Sequence, residues 1–416
     1  MSTSILINPG TRFTCVPCGF CCGFWDIHID RQRKESLAQK DWVRTLSHNL
    51  EERQHESLFK ILGQGDQLLI QRQRGTCSFM DSRMLCSIHA SEGFEAKPVV
   101  CQQYPNIYYE TPRGLEVFLD YSCPEVIRNT GDPVTPEGVA KTLPREYVQK
   151  VGSTFPLNSK TTLDWEGYQR LEQAFLQVLE KSWAYEDKIL HLNQLIKELA
   201  RRLKNQTVAQ WNEVSAVLAE IQLQDMGDLA RKQQLPSNSS KRDLYLAILV
   251  QWVESTFSGE VGETAMGSGK VLGNIFRQWK GIGEHTFEVF KFRVKYQQME
   301  VVNFDTEAAA LQDPLDRYLN YQIKTLVGTG KIPITRRLGI IATNFALVKW
   351  FSRAHAASIG RPQVSLEDIV FGIKVVEKFL SNRLFNKLSE QKSFLSSYIS
   401  LLFDNPSLPA TMLSRP

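Results

Sequence analysis

The stretch "FTCVPCGFCCGFW", residues 13–25, places four cysteines within eight positions: Cys15, Cys18, Cys21 and Cys22. The other cysteines of the chain are Cys77, Cys86, Cys101 and Cys123, so all eight lie in the first third of the 416 residues. Cysteines that act only as small buried hydrophobic side chains have no reason to cluster in this way. The clustering therefore indicates a chemical role for the thiols and sets the character of the N-terminal part of the fold.

Two other interpretations compete with metal ligation, namely scattered buried thiols and a disulfide framework. Disulfide frameworks belong to short secreted chains, and the first residues show no basic segment followed by a long apolar run, as a secretory signal would. We therefore expect a cytoplasmic protein with reduced thiols. C-x2-C spacing presents two sulfurs from one tight turn, and Gly19 and Gly23 allow the backbone to turn there. Thiolate ligation of zinc or of an iron–sulfur cluster is the favoured interpretation.

The spacing leaves the metal open. Ferredoxin motifs and the radical-SAM motif would each need a cysteine at position 25, where the chain has Trp25. Cys21 and Cys22 are adjacent, and neighbouring side chains of extended backbone point in opposite directions. We therefore expect these two to serve different ions, or one of them to be a spare reactive thiol.

The segment "NIYYETPRGLEVFLDYSC" (106–123) predicts a β-hairpin, because aromatic and β-branched runs flank a turn that contains proline and glycine. If Glu110 faces Leu115, continuation of the register sets Cys101 almost opposite Cys123.

The segment "DQLLIQRQRGTCSFM" (66–80) predicts a strand before Cys77, with Cys86 in a short link between the two hairpin regions. His28 and His89 could each replace a thiolate, although a solvent-facing histidine is the more ordinary interpretation. The eight cysteines are thus the predicted metal ligands of a small, loop-rich domain.

These blocks resemble the CxxCxxCC-type zinc- or iron-chelating proteins over about residues 13–124. The resemblance is carried by "FTCVPCGFCC", by "GTCSFMDSRMLCSIHASEGFEAKPVVCQQYP" and by "YSCP". The positions that match the family pattern after the head are Cys77, Cys86, Pro98, Cys101, Tyr104 and Pro105. The chain departs from the pattern at Lys97 and Gln102, where the family often has arginine, and at His89, where an aromatic residue is common.

The long form of that family, with a helical C-terminal extension, is similar to the flagellin lysine-N-methylases. The resemblance implies a bound zinc or iron–sulfur centre. It also implies methyl transfer from S-adenosylmethionine to lysines of a protein such as flagellin. It assigns no catalytic base and no methyl-donor residue in this chain.

Residues 131–160 are rich in proline and glycine and predict a linker. Helical periodicity follows, as in Ile189, Leu192, Ile196 and Leu199. The predicted helices are 164–183, 189–203, 207–223, 243–257, 284–302, 307–327, 335–357, one that follows a capping box at Ser365 and Asp368, and 393–403. We therefore predict an α+β protein with a cysteine-cluster metal domain at 1–130 and a mainly α-helical domain at 161–416.

Several functions are disfavoured by the sequence. A net charge of +4 gives no strong basic excess, so we expect no nucleic-acid partner. The most apolar run, 338–351, is too short to span a bilayer and predicts a buried helix. The glycine-rich segment 258–274 is not a phosphate-binding loop, because Thr264 and Val271 stand where that motif needs glycine and serine or threonine.

Aromatic residues of the C-terminal part could form a wall that attracts a sulfonium or an ammonium group. They are Trp252, Phe276, Trp279, Phe287, Phe290, Phe292, Tyr296, Tyr318, Tyr321 and Trp350. Three hypotheses stay open: a metal-dependent methylase, a non-catalytic zinc or iron–sulfur module for electron transfer or metal handling, and a zinc-shaped domain whose helices bind another protein.

Overall fold

The computed structural model describes residues 4–16, 18–23, 27–42, 58–62, 67–73, 76–144, 147–223, 239–258, 269–287, 290–328, 330, 332–380, 403 and 407–413. The chain divides into two compact units, Met1–Lys150 and Val151–Pro416. The first is rich in short strands and the second is mainly helical, which confirms the predicted α+β class. The boundaries 1–130, 131–160 and 161–416 remain predictions.

The first unit contains nine strands and five helices among the described residues. The strands are β1 (Ile5–Ile7), β2 (Ile27–Ile29), β3 (Phe59–Leu62), β4 (Gln67–Ile70), β5 (Arg72–Gln73), β6 (Thr76–Cys77), β7 (Asn106–Thr111), β8 (Gly114–Leu119) and β9 (Val148–Lys150). The helices are α1 (Arg31–Ala38), α2 (Ser87–Glu92), α3 (Val99–Gln103), α4 (Pro124–Arg128) and α5 (Pro136–Thr142).

A four-stranded sheet in the order β1-β8-β7-β9 contains the predicted hairpin. β7 and β8 are antiparallel, and Glu110 faces Leu115 as predicted. The outer strands β1 and β9 run parallel to their neighbours. One face of this sheet packs with α5 around Tyr108, Val117 and Val139.

The expectation that Cys101 lies opposite Cys123 in this ladder is wrong. The ladder ends where Asn106 pairs with Leu119, and Cys101 lies in helix α3 instead. Pro105 has no amide hydrogen to continue the pairing.

A second, three-stranded antiparallel sheet has the order β2-β4-β3, and β5 with β6 forms a short hairpin. The strand predicted ahead of Cys77 is therefore confirmed. Trp42 and Phe79 meet edge to face at 4.9 Å between ring centroids in the core beneath these strands.

The residues predicted as a linker, 131–160, contain regular structure. Helix α5 and strand β9 belong to the first unit, and a strand at Thr154–Pro156 belongs to the second. Thr135 caps α5 by accepting a hydrogen bond from the Gly138 amide, as threonine does at a helix start. Pro136 therefore occupies a helix start rather than a loop.

The second unit contains two short sheets and ten helices among the described residues. The strands are β10 (Thr154–Pro156), β11 (Thr162–Asp164), β12 (Val208–Ala209), β13 (Glu284–Phe287) and β14 (Phe292–Lys295). The helices are α6 (Trp165–Leu179), α7 (Tyr185–Arg202), α8 (Trp211–Leu223), α9 (Ser239–Ser258), α10 (Gly269–Trp279), α11 (Tyr296–Glu300), α12 (Ala309–Lys324), α13 (Ile334–Ser358), α14 (Leu366–Leu380) and α15 (Leu408–Leu413).

Helix α13 is the centre of this unit. It packs against α7, α14 and α15, and most of its side chains are buried. The prediction that 338–351 is a buried helix is confirmed, since a helix that is apolar on all sides belongs inside a core. Within the described residues, no helix combines the length and apolar character needed to cross a membrane.

The predicted helix at 284–302 is wrong over most of its length. β13 and β14 form an antiparallel hairpin there, and only α11 is helical. Exposed and buried side chains alternate along β13, which is the period of a strand rather than of a helix. Lys291 adopts a left-handed conformation at φ 55° before the second strand.

One half of the predicted capping box forms at the start of α14, because the Ser365 hydroxyl donates to the Asp368 carboxylate at 2.7 Å instead of accepting from the Asp368 amide. The Ser365 amide donates to the Asp368 carboxylate at 2.8 Å, and the Asp368 amide donates to the Ser365 carbonyl at 3.1 Å. The predicted helix 393–403 lies outside the described residues except for Phe403, and so does 259–268 of the glycine-rich segment. The rest of that segment, from Gly269, opens helix α10.

Candidate metal centre

The cysteine head turns tightly at Gly19. The amides of Cys22 and Gly23 each donate to the Gly19 carbonyl at 3.1 Å. Gly19 has φ +69°, and a Cβ atom there would lie 3.1 Å from the thioether sulfur of Met80 and 3.4 Å from that of Met84. Only glycine combines this backbone conformation with so close an approach.

The turn brings the two adjacent thiols together. The sulfur atoms of Cys21 and Cys22 are 3.9 Å apart, so the expectation that their side chains point in opposite directions is wrong. That expectation assumed extended backbone, whereas residues 20–22 form a turn. Two sulfurs that bind one tetrahedral ion at about 2.3 Å lie about 3.8 Å apart, while a disulfide requires about 2.05 Å. The pair therefore fits two ligands of one ion.

A backbone hydrogen bond joins the head to the second cysteine segment. The Cys77 amide donates to the Cys22 carbonyl at 2.7 Å. Met80 forms an antiparallel bridge with Cys86, and the Ser87 amide donates to the Phe79 carbonyl at 2.8 Å. This returning chain sets Cys86 at the N-cap position of α2.

Four cysteines meet at one apolar core. Cys77 is part of the core beneath β2 and β4, and Cys22, Cys86 and Cys101 pack against it. They come from three separate parts of the sequence, which the fold gathers around the same core. This arrangement places thiols from the head, the middle block and α3 within one neighbourhood.

The N-terminal end of the head is held by the loop after α4. The Phe13 amide donates to the Asp132 carbonyl at 2.9 Å, and the Thr14 hydroxyl lies 3.0 Å from the Asp132 carboxylate and from its amide. Gly131 has φ +93°, and a Cβ there would come within 2.4 Å of the Thr14 hydroxyl. Cys123 lies at the N-cap position of α4, at the opposite end of that helix.

Cys21 is a common neighbour of the cluster, because its charge contributes to the raised pKa of several other cysteines. Burial is the largest cause that raises the pKa of Cys15 and of Cys101. Burial also raises the pKa of Cys123 to about 12. The charge of Cys21 adds to each of these three rises.

The same neighbour affects the buried pair. Burial raises the pKa of Cys77 to about 12, with smaller contributions from Cys86 and Cys21. The pKa of Cys22 is raised by its hydrogen bond with Cys21 and then by burial. Thiols bind metal as thiolates, so an ion that binds here displaces protons.

None of the eight cysteines, all of which lie in the described residues, forms a disulfide. Cys15 and Cys18 are exposed, and Cys77 and Cys123 are buried. Among the described residues, no three histidine, cysteine, aspartate or glutamate side chains stand close enough together to hold one ion. The donor chemistry and the Cys21–Cys22 pair fit a thiolate-bound metal, while the distribution of the eight cysteines among ions remains a prediction.

His28 and His89, the two histidines predicted as alternative ligands, are exposed. His28 lies on β2, and the His89 ring packs edge-on against Phe94 at 6.2 Å between ring centroids. Both histidines therefore fit the more ordinary interpretation, in which the side chain faces the solvent. Sequence reasoning missed the thioethers of Met80 and Met84, whose approach to Gly19 depends on the fold.

Residues 14–124 match the CxxCxxCC family model, whose description reads "Putative zinc- or iron-chelating domain". That stretch contains every cysteine of the chain. Over these residues the chain is similar to the CxxCxxCC family. No curated protein matches the chain, and no solved structure matches it. The similarity therefore concerns the cysteine-bearing part, and the helical unit stands without a matched relative.

Proposed function

We propose that the first unit is a metal-binding module in which thiolates hold zinc or iron. The observation that carries this proposal is the 3.9 Å separation of the Cys21 and Cys22 sulfurs, which suits a tetrahedral ion. The matched family supports the same class of metal.

The ligands we propose form two groups that the Cys21–Cys22 pair joins. Cys22, Cys77, Cys86 and Cys101 share one apolar core. The second group is Cys21 with Cys15, Cys18 and Cys123, because, in addition to burial, Cys21 and Cys18 both raise the pKa of Cys15 and of Cys123. The bound group would supply folding free energy where its coordination is closed, and Lewis acidity or electron transfer where it is open or a cluster.

The identity of the metal is tested by isolating the full chain without oxygen and measuring its zinc, iron, sulfide and visible absorption. Absorption at roughly 400 nm with stoichiometric iron and sulfide indicates an iron–sulfur cluster, and a colourless protein with stoichiometric zinc indicates a zinc site. Cys21→Ser and Cys22→Ser should each reduce the metal content. Met84→Leu, which changes an exposed neighbour of the same turn, is the matched control and should keep it.

For the whole chain, we propose methyl transfer from S-adenosylmethionine to lysines of a protein such as flagellin. Support comes from the resemblance to flagellin lysine-N-methylases and from the observed order of units, a cysteine-bearing unit followed by a mainly helical one. In this reaction the bond from the sulfonium sulfur to the methyl carbon breaks, and a bond from that carbon to the lysine nitrogen forms. The amine must lose its proton first, to solvent or to a base.

The test incubates the metal-loaded protein with flagellin and S-adenosylmethionine that carries a labelled methyl group. Label on flagellin lysines supports the methylase. Failure to bind S-adenosylmethionine rules it out and leaves the alternative proposal, a non-catalytic zinc or iron–sulfur module. A reversible redox change of the metal centre would then favour electron transfer, and exchangeable metal would favour metal handling.

A further inference from the structure

The helical unit contains a cleft of about 570 Å3. Its walls come from the start of α7, from α9, from the end of α10, from α11, from α13 and from α15. One face of α13 supplies Ala346, Lys349, Trp350 and Arg353, which recur at helical spacing. The volume lies in the range of sites that bind small molecules.

Cations outnumber acids around this cleft. The lining holds the cations Arg242, Lys280, Lys349 and Arg353 and the acids Glu186, Asp243 and Glu300. Two of the cations are already paired: Lys349 contacts Glu186, and the Arg242 guanidinium lies 2.9 Å from the Asp243 carboxylate.

Arg353 differs from these paired residues. Among the described residues, its side chain makes no ion pair, and its Nε atom is buried without a hydrogen-bond partner. Burial lowers the pKa of Arg353, the charge of Arg242 lowers it further, and Glu186 opposes both. A guanidinium held beside a second guanidinium, without its own carboxylate, is the type of group that binds an anion.

A second unpaired group lies in the same wall. Gln278 is 6% exposed, and neither its amide oxygen nor its amide nitrogen has a hydrogen-bond partner within the described parts of the chain. Buried amides are nearly always paired. If the end of the Gln278 side chain turns toward the cleft, a polar ligand there can supply the hydrogen-bond partner that its amide group lacks.

Aromatic rings complete the lining. Trp279, Tyr296 and Trp350 border the cleft, and all three are among the aromatic residues that the sequence marked as a candidate wall. The Trp279 indole donates to the Ser240 carbonyl at 2.8 Å, which fixes its orientation. Lys280 places its ammonium over the Trp279 ring, 4.1 Å from its centre, so the cation lies on one face of the indole and leaves the other face and Trp350 to a planar ligand.

We propose that this cleft binds a small organic anion that carries a planar ring and is about the size of a nucleotide. Arg353 and Lys280 would hold the anionic group, and the tryptophan faces would hold the ring. The anionic group is a phosphate or a carboxylate. The proposal uses no residue of the cysteine-bearing unit, so it stands or falls separately from metal binding. Binding of S-adenosylhomocysteine would bear on the proposed methyl transfer as well, whereas binding of AMP would support the cleft alone.

The experiment titrates the full, metal-loaded chain by isothermal calorimetry with three probes: AMP, S-adenosylhomocysteine and adenosine. Binding of AMP identifies a phosphate ligand, and binding of S-adenosylhomocysteine identifies a carboxylate ligand; either result supports the proposal. Adenosine, which lacks the anionic group, should bind at least tenfold more weakly than the better of the two. Equal binding of adenosine, or no binding of either AMP or the carboxylate-bearing zwitterion S-adenosylhomocysteine at millimolar concentration, would overturn the proposal.

Variants test the assigned residues. Arg353→Met should weaken binding of the anionic probe at least tenfold, because a charge-assisted hydrogen bond is lost. Arg317→Met is the control, since Arg317 pairs with Asp313 and does not line the cleft. Lys280 is exposed, so Lys280→Glu should fold even if Arg353→Met does not, and it should weaken the anion more than adenosine. Unchanged anion affinity in folded Lys280→Glu and Arg353→Met would contradict the assignment.

Discussion

The Cys77 amide donates a hydrogen bond to the Cys22 carbonyl at 2.7 Å. This single bond joins the cysteine head to the strand that carries the next cysteine, and it places both residues at one apolar core. The positions of the thiols are therefore set by backbone pairing as well as by their own side-chain contacts. Changes that move the head backbone should disturb metal binding without removing any sulfur.

Gly131→Ala tests the anchor of the head. The new methyl group would lie 2.4 Å from the Thr14 hydroxyl at a residue with φ +93°, so it adds a clash to backbone strain. We expect a loss of about 2–4 kcal/mol in the free energy of unfolding and a lower metal content. Urea unfolding and metal analysis measure the two effects.

The matched control is Gly93→Ala. Gly93 has φ +84°, but no atom lies within 4 Å of the added methyl group. Its ψ of 179° places it in a region that essentially only glycine adopts, so the variant should show the strain of about 1–3 kcal/mol alone and retain its metal. An equal loss of metal in both variants would mean that the contact between Gly131 and Thr14 does not position the head.

Asp368 should make the stability of the helical unit depend on pH. Its carboxylate accepts hydrogen bonds from the Ser365 amide and from the His355 ring at 2.6 Å. Although burial opposes the shift, these bonds and the Arg361 charge hold the pKa of Asp368 below its usual value. A lowered folded-state pKa stabilises the fold above about pH 4, and this stabilisation is lost as pH falls through the folded pKa.

Asp368→Asn should therefore cost about 2–3 kcal/mol at pH 7. Urea titrations across pH should show the difference from the parent protein shrinking below about pH 4. Asp313→Asn, which removes an exposed carboxylate, should cost less than about 1 kcal/mol. A difference that stays constant with pH would show that the Asp368 carboxylate is not the group responsible.

Two glycines of the helical unit should respond oppositely to alanine. A methyl group on Gly372 would lie 2.4 Å from the Ser352 hydroxyl and 2.7 Å from the Val348 carbonyl oxygen, whereas one on Gly339 would meet only the Phe403 carbonyl, at an ordinary 3.6 Å. We expect Gly372→Ala to destabilise by about 1–3 kcal/mol. Gly339→Ala should be neutral or stabilising by up to about 1 kcal/mol, because alanine favours a helix. Thermal unfolding checks both, and equal effects would contradict the close packing of α14 on α13.

Much of the fold could be predicted because its signals are local. The hairpin register around Glu110 follows from the turn at 111–114, and α13 follows from a continuous apolar run. The hairpin at 284–295 was missed because its short alternating runs also contain apolar residues at helical spacing. Length and side-chain alternation, not hydrophobicity, distinguish the two structures there.

The site was predictable in composition but not in geometry. The spacing of the cysteines predicts thiolate ligation, since the motif itself is local. The approach of Cys21 to Cys22 could not be predicted, because it depends on a turn at Gly19 that packs against Met80 and Met84. The absence of an ion pair at Arg353 among the described residues could not be predicted either. The sequence around an arginine on an apolar helix does not show whether a carboxylate faces it.

The central claim is tested most directly by measuring the metal and the thiol reactivity of one freshly isolated, anaerobic sample. We predict stoichiometric zinc or iron and slow alkylation of the cysteines, with rapid alkylation and a lower thermal unfolding temperature once a chelator removes the metal. A fully folded, metal-free protein whose thiols react at once, and whose unfolding temperature a chelator leaves unchanged, would contradict the account.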